Sequence, residues 1–242
     1  MLLILYRIYQ FCIAFPLMIV LTIITALVTG TGCIITRDRR WGYYPPHIWA
    51  RAFCLLTFVK VEVTGRENIS RNKSYVFVAN HQGAYDIFTV YGYLNHEFKW
   101  MMKKSLERIP FVGFACRCAG HIFVDNSSSS ALLHTMQAAE SELRDGDSLV
   151  IFPEGSRTYT GKMGRFKRGA YQLAREFQIP LVPVTIDGAF SVLPRTSLLP
   201  RWGKIKLTIH KPVTPPRPDE ELNESMKVTF DMIHSALPAV WQ

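Results

Sequence analysis

The feature that most constrains this chain of 242 residues is its N-terminus, because no charged residue occurs in residues 8–36. As a helix this segment would be roughly 43 Å long, whereas the hydrocarbon core of a bilayer is about 30 Å thick. A cleaved signal peptide is the competing interpretation, but its apolar region is usually shorter, and a basic start and a clear small-x-small site are lacking here. We therefore expect the segment to be retained in a membrane.

The sequence after this segment has the character of a membrane interface. Residues 37–40 read RDRR, and the aromatic and proline-rich stretch WGYYPPHIW follows. Arg collects on the cytoplasmic side of membranes, and Trp and Tyr favour the headgroup level. Residues 47–59 then resume a short apolar helical pattern. Two geometries remain open: a single span, or a helical hairpin in one leaflet, bent at Pro16 and at the Gly30 and Gly32 pair.

Charge and cysteine content narrow the partners and the compartment. The chain has 28 Lys and Arg against 19 Asp and Glu, which suits an anionic partner such as nucleic acid, an acidic lipid surface or a phosphorylated substrate. Neither a disulfide framework nor a zinc site is indicated by the five cysteines, Cys12, Cys33, Cys54, Cys116 and Cys118. A reducing, cytoplasm-facing environment fits best.

From residue 61 onward, short β-branched runs alternate with amphipathic stretches, a pattern typical of α/β proteins. The predicted strands are VEVTG, SYVFVAN, FKWMMK, HIFVD, SLVIFP, PLVPVTI and KIKLTIH. The predicted helices include GAYDIFTVYGYL, SSSSALLHTMQAAESELRDG, RGAYQLAREF and DEELNESMKVTFDMIHSAL. We predict an α/β fold with a mixed, largely parallel sheet flanked by helices. We expect N-terminal membrane-anchoring helices over residues 1–59 and the α/β domain over residues 60–242.

A histidine and an aspartate follow the second predicted strand at a spacing that suits general base chemistry. His81 lies on the predicted strand-to-helix turn, and Asp86 lies in the first turns of the helix. Sites in open α/β sheets form beyond the carboxyl ends of strands. A carboxylate there can hold one imidazole nitrogen as N–H and leave the other as an acceptor. The alternative is an incidental pairing of two polar residues.

A second candidate segment, residues 150–170, carries a glycine and several cations after an apolar strand. Gly155 allows close backbone approach, and Arg157 can bind an oxyanion through two hydrogen bonds. Positive charge surrounds them at Lys162, Arg165, Lys167 and Arg168. The pattern favours a phosphate site over a solvated basic loop.

Three blocks of the chain together resemble those of the glycerolipid acyltransferases. The blocks are NHQGAYD, FPEGSR and LVPVTIDG, and they occur in that family's order, within a similarity that covers roughly residues 60–210. The resemblance implies that His81 takes a proton from a substrate hydroxyl and that Asp86 fixes the imidazole tautomer. Acyl transfer from a thioester then needs no covalent enzyme intermediate. A serine nucleophile is disfavoured, because the chain contains no G-x-S-x-G elbow.

The same resemblance assigns the substrate-binding residues. Glu154, Gly155 and Arg157 match the block associated with glycerol phosphate, and Ser156 between them is interpreted as a phosphate or backbone ligand. Pro183 lies in the block associated with the acyl donor.

Further basic residues are expected at the acceptor phosphate. Lys103 and Lys104 resemble a basic pair that lies near this group in related proteins. One departure concerns the second block of the family, where GHIFVDN places Asn126 at a position that is commonly arginine. Arg157, Lys104 and Lys167 are candidates to replace that charge. The acceptor headgroup therefore stays open, with a lyso-aminolipid as the second possibility.

The prediction is an enzyme that moves a fatty acyl group from acyl-CoA or acyl-ACP (acyl carrier protein) to the sn-2 hydroxyl of 1-acyl-glycerol-3-phosphate. We expect no cofactor beyond the thioester co-substrate and no metal site. The partners are a lysophospholipid, the thioester and the membrane, with the catalytic domain facing the cytoplasm, as at the inner membrane of a bacterium. A rival is a non-catalytic protein that binds anionic lipid. Nucleic acid is disfavoured because no stacking-rich single-strand motif accompanies the cations.

Overall fold

A computed structural model describes residues 1–125 and 127–242 and contains one seven-stranded sheet. Its strands are β1 (Val59–Thr64), β2 (Val76–Ala79), β3 (Lys99–Lys103), β4 (Ile122–Val124), β5 (Leu149–Ile151), β6 (Leu181–Asp187) and β7 (Gly203–Ile209). Their order is β1-β7-β6-β2-β5-β3-β4. All neighbouring strands are parallel except β6 and β7, which are antiparallel. The predicted fold class is confirmed, and each of the seven predicted runs forms a strand.

Helices cover both faces of the sheet and extend beyond it at the N-terminus. They are α1 (Leu2–Tyr9), α2 (Phe15–Thr36), α3 (Tyr44–Leu56), α4 (Tyr85–Tyr93), α5 (Val112–Cys118), α6 (Ser129–Arg144), α7 (Gly169–Phe177), α8 (Ala189–Val192) and α9 (Leu222–Ser235). The serine run begins α6 as predicted, since the Ser128 hydroxyl accepts a hydrogen bond from the Ala131 N–H.

Burial explains why the central strands read as unbroken apolar runs. Every residue of β2 and of β5 is buried. Parallel strands covered by helices on both faces have this continuous pattern. One apolar cluster packs β2, β6 and β7 against α3 and α4, and a second packs the other face against α6, α7 and α9. The loops at the ends of β2 and β5 are thereby fixed in position.

The N-terminal helix is long and apolar enough to cross a membrane. A π-helical segment, Gln10–Ala14, joins α1 to α2, so that one helix continues from Leu2 to Thr36. Only 11% of its most apolar stretch of 18 residues is buried. Pro16, which has no N–H to donate, lies in the first turn of α2, two residues after this segment ends. The helix packs against α3, where the Trp49 indole N–H donates to the Thr22 hydroxyl at 2.9 Å.

Of the two geometries that the sequence left open, the one with a bend at Gly30 and Gly32 is not adopted there, because α2 runs through both positions. Their role is close packing instead. A Cβ at Gly30 would lie 2.1 Å from the Phe114 ring, and one at Gly32 would lie 2.3 Å from the Trp41 ring. The small residues therefore let α5 and the turn before α3 approach the helix.

Candidate active site

The structure brings His81 and Asp86 together at the carboxyl end of β2. His81 lies in the loop after the strand, and Asp86 lies in the first turn of α4. The Nδ1 of His81 is 2.7 Å from Oδ2 of Asp86, which also accepts the Gly83 N–H at 2.9 Å. Asp86 is fully buried. The carboxylate therefore holds Nδ1 as N–H and leaves Nε2 of His81 as a proton acceptor.

The imidazole ring is fixed by stacking as well as by this hydrogen bond. His81 lies parallel to Phe152, with ring centroids 4.0 Å apart and planes inclined by 9°. Its backbone carbonyl accepts the Thr158 N–H at 2.9 Å. Only 15% of the His81 side chain is exposed. The ring is therefore held from several directions before any substrate binds.

Glu154 connects the histidine loop to the basic loop. One carboxylate oxygen accepts the His81 N–H at 2.8 Å, and the other accepts the Gly164 N–H at 2.7 Å. Burial raises the pKa of Glu154 to about 7, against the opposing effect of the two backbone donors. Both oxygens are thus engaged within the protein. The residue braces two loops, and a phosphate would have to bind elsewhere.

We expect this buried carboxyl to make stability depend on pH. Because the folded-state pKa of Glu154 exceeds its ordinary value of 4.5, the free energy of unfolding falls as pH rises from about 4.5 through about 7. The effect is at most about 2 kcal/mol for a partly exposed group. Thermal unfolding in detergent across this window measures it. In the Glu154→Gln variant the free energy of unfolding should fall less steeply with pH, whatever the overall stability of the variant. Wild-type and variant stabilities that fall in parallel with pH would contradict a raised pKa for Glu154.

Gly155 and Lys167 of the basic loop line the same cavity as His81. Gly155 has φ +76°, and a Cβ there would lie 2.6 Å from Nζ of Lys167. The Lys167 N–H donates to the Pro153 carbonyl, which fixes the chain around this contact. The positive φ favours glycine at position 155, and a side chain there would displace the Lys167 ammonium.

A cavity of about 870 Å³ opens beside His81 and is lined mainly by apolar atoms. Four predicted site residues line it: His81, Lys103, Gly155 and Lys167. Asp86 and Glu154 support the loops behind its wall. Its size and lining are typical of small-molecule sites.

The other predicted site residues lie outside the cavity wall. The Lys104 ammonium pairs with Asp125 at 2.6 Å, which raises the pKa of Lys104 and lowers that of Asp125. Ser156 is exposed, and the backbone carbonyl of Arg157 accepts a hydrogen bond from the Arg195 guanidinium at 3.3 Å. Pro183 is buried in β6.

The placement of Pro183 follows from the local structure. Pro183 sits opposite Val78 of β2, and its carbonyl accepts the His210 N–H, so the sheet accounts for it. Asn126, which stands where related proteins commonly have arginine, lies outside the described residues.

The sequence motifs did not predict most of the residues that form the cavity wall. The missed residues include Thr22, Thr29, Trp49, Met101, Leu106 and Met136, which come from α2, α3, β3, the turn after β3 and α6. No short motif contains them, because they converge only when the helices pack. The apolar periodicity of α2 and α3 was the one available signal, and it indicated membrane contact instead.

Comparisons with known proteins agree with this architecture. Residues 60–187 match the family model described as Acyltransferase. A 1-acyl-sn-glycerol-3-phosphate acyltransferase of Chlamydomonas reinhardtii is 30% identical over 95% of this chain and 68% of its own length. The enzyme of that name from Saccharomyces cerevisiae is 32% identical over 69% of this chain, which spans 57% of the yeast protein.

A solved structure extends the similarity to the fold as a whole. The crystal structure of the 1-acyl-sn-glycerophosphate (LPA) acyltransferase PlsC from Thermotoga maritima superposes with a TM-score of 0.81 at 25% sequence identity. The match covers 96% of this chain and 93% of that one. With a family model that spans more than half of its residues, the chain belongs to the acyltransferase family.

Proposed function

We propose that the protein transfers a fatty acyl group from an acyl-CoA or acyl-ACP thioester to the sn-2 hydroxyl of 1-acyl-glycerol-3-phosphate, giving phosphatidic acid. The observation that carries the proposal is the His81 and Asp86 pair at the wall of an apolar cavity that also presents Lys103 and Lys167. The names of the relatives support the same acceptor. They leave the choice of thioester donor open.

The geometry supports general base catalysis. Nε2 of His81 accepts the proton of the substrate hydroxyl as its oxygen attacks the thioester carbonyl carbon. The charge of Asp86, 2.7 Å from Nδ1, stabilises the resulting imidazolium. Collapse of the tetrahedral oxyanion breaks the carbon–sulfur bond, and the departing thiolate takes the proton back from the imidazolium. Such base assistance is worth about 10²- to 10⁴-fold in rate.

The rest of the cavity suits the other parts of the substrates. Its apolar wall between α2 and the sheet accommodates a hydrocarbon chain, whose burial is favourable at about 0.8 kcal/mol per methylene. The ammonium groups of Lys103 and Lys167 balance phosphate charge on the acceptor or the donor. An amphiphile with an apolar tail and an anionic head fits both features.

We propose that residues 1–59 anchor the protein to a membrane and that residues 60–242 form the acyltransferase domain. The exposed apolar length of Leu2–Thr36 supports the anchor, and the family match begins at residue 60. Leu106, Ile109 and Phe111 are exposed close to the cavity lining and would meet the same bilayer. We place the domain on the cytoplasmic side, as at a bacterial inner membrane, in keeping with the five free cysteines.

The decisive experiment is a panel of lyso-lipids assayed with one radiolabelled acyl thioester. We expect lysophosphatidate to give the highest kcat/KM. The second candidate acceptor is a lyso-aminolipid, which the asparagine at position 126 keeps open. A higher kcat/KM for that lipid would replace the proposed acceptor. Failure to acylate any lyso-lipid, with retained binding to anionic vesicles, would support a non-catalytic lipid-binding protein.

Lys167 provides a test of the phosphate site. We expect Lys167→Ala to raise KM for lysophosphatidate about tenfold with a smaller change in kcat, because one charge-assisted contact is lost. Steady-state kinetics at low and high salt measure the effect, which should shrink as salt screens it. Lys162→Ala is the matched control, since this exposed lysine of the same loop lies outside the cavity wall. Equal KM values for both variants would remove Lys167 from the site.

A further inference from the structure

A short turn after α9 packs against the basic loop that joins β5 to α7. The 3₁₀ turn Ala239–Trp241 places its tryptophan ring directly on Gly161, in the middle of that loop. A Cβ at Gly161 would lie 2.3 Å from the ring, and φ there is +88°, which favours glycine. Glycine at position 161 thus lets the ring approach the backbone. The proposed mechanism uses neither residue.

Contacts with its own surroundings hold Trp241 in place. Its ring packs on Phe190 of α8, with ring centroids 5.1 Å apart and planes inclined by 60°. The side-chain amide of the next residue, Gln242, donates to the His234 and Leu237 carbonyls at 3.2 and 2.8 Å. These bonds tie the turn to the end of α9. The indole is therefore a fixed surface against which the basic loop rests.

The histidine loop holds the same stretch of the basic loop by hydrogen bonds. The side-chain amide of Gln82, which directly follows His81 and is 1% exposed, donates to the Gly161 carbonyl at 3.3 Å. The Thr158 N–H donates to the His81 carbonyl at 2.9 Å. Residues 158–161 are thus bound at each end to the loop that carries the proposed base. Trp241 packs on the Gly161 end of this stretch.

Arg157, the oxyanion ligand expected from the sequence, comes directly before this stretch. It lies two residues after Gly155, which lines the cavity. The Arg157 side chain is half-buried, and no carboxylate in the described part of the chain forms an ion pair with it. Its guanidinium is therefore available to an external anion such as a phosphate. Where the guanidinium lies depends on the backbone that follows it.

We propose that Trp241 is a positioning residue for the phosphate side of the site. Its indole holds residues 157–161 against the histidine loop and so fixes Arg157 for the anionic headgroup of the acceptor. The inference rests on the proposed acyl transfer to a phosphate-bearing lyso-lipid. It gives the turn after α9 a part in acceptor affinity.

Loss of the indole would act on the loop rather than on the base. With Trp241 removed, water can reach the buried Gly161 backbone and compete for its hydrogen bond with Gln82. Binding of the acceptor must then order residues 157–161, at a cost in affinity. The contacts that fix the His81 ring lie elsewhere, so turnover at saturating substrate should change little.

Steady-state kinetics test this division between KM and kcat. We expect Trp241→Ala to raise KM for lysophosphatidate about fivefold and to change kcat less than about twofold. Trp241→Phe should restore most of the wild-type KM, because a phenyl ring can still lie on Gly161. Val240→Ala is the matched control, since this side chain of the same turn is 66% exposed. A wild-type KM in Trp241→Ala, or an equal rise in Val240→Ala, would overturn the inference.

A double-mutant cycle tests whether Trp241 acts through Arg157. If it does, adding Trp241→Ala to Arg157→Ala should raise KM no further, because the residue that the indole positions is already gone. KM increases that multiply in the double variant would show that the two residues act independently. That result, or a wild-type KM in Arg157→Ala, would refute the proposed route.

Limited trypsin cleavage gives a readout that does not need turnover. Residues 157–168 contain five trypsin sites: Arg157, Lys162, Arg165, Lys167 and Arg168. Trp241→Ala should be cut within this loop at least about fivefold faster than the wild type and Val240→Ala, with the sites identified by mass spectrometry. Equal rates, or faster cleavage spread over the whole chain, would overturn the inference. Faster cleavage confined to the loop of a protein that acylates no lyso-lipid would instead refute the proposed function and leave the role of Trp241 in holding the loop intact.

Discussion

His81→Ala is expected to lower kcat for acylation of lysophosphatidate by at least about 10²-fold, the lower bound for loss of a positioned general base. A secondary alcohol is too weak an acid to attack a thioester at neutral pH without proton removal. Nε2 of His81 is available for that task because Asp86 occupies Nδ1. Transfer of a radiolabelled acyl group at saturating substrate measures the loss.

The control for this variant is His134→Ala, which removes an exposed imidazole of α6 that does not line the cavity. It should retain wild-type turnover. Thermal unfolding should show that His81→Ala remains folded, since its ring mainly stacks on Phe152. Undiminished kcat in folded His81→Ala would refute the mechanism while leaving the fold and the family intact.

Two substitutions at Asp86 are expected to separate its two roles. In Asp86→Asn the amide oxygen can take the place of Oδ2, which accepts from both His81 and the Gly83 N–H. The amide nitrogen would then replace Oδ1, which has no partner among the described residues. The imidazole tautomer is preserved, and only the negative charge is lost. We expect kcat to fall at least about tenfold.

Asp86→Ala removes the acceptor as well as the charge. The Nδ1–H of His81 and the Gly83 N–H then lose their partner in a fully buried position, and the ring is free to change tautomer. We expect kcat to fall at least about 10²-fold and the thermal midpoint to drop. Equal kcat values in the two variants would show that charge alone matters, and wild-type activity in Asp86→Asn would show that charge is dispensable.

Local sequence patterns were sufficient to predict the sheet. β2, β5 and β6 are buried on both faces, so their apolar runs stand out against the amphipathic helices. The proximity of His81 and Asp86 could also be anticipated, because a strand-to-helix turn returns the chain within a few residues. Both inferences depend on patterns that can be read within a short stretch of the sequence.

The remaining parts of the site depend on long-range packing. Glu154 was assigned to substrate binding from its block, but its environment is set by N–H groups of His81 and Gly164 on two separate loops. The position of the Lys104 side chain depends on its ion pair with Asp125, which follows the neighbouring strand β4. The depth of the cavity depends on how α2 packs against α3 and α5. No spacing within one segment encodes these contacts.

One consequence follows from the threonine-bearing face of α2, which forms a wall of the cavity. A version of the protein shortened to gain water solubility would lose not just the proposed membrane anchor but also part of the cavity that we propose for the substrate tail. On the proposed membrane anchoring, the bilayer around this helix would in turn influence the shape of that cavity. Changes in membrane thickness should thus be felt as changes in which fatty acids the enzyme accepts.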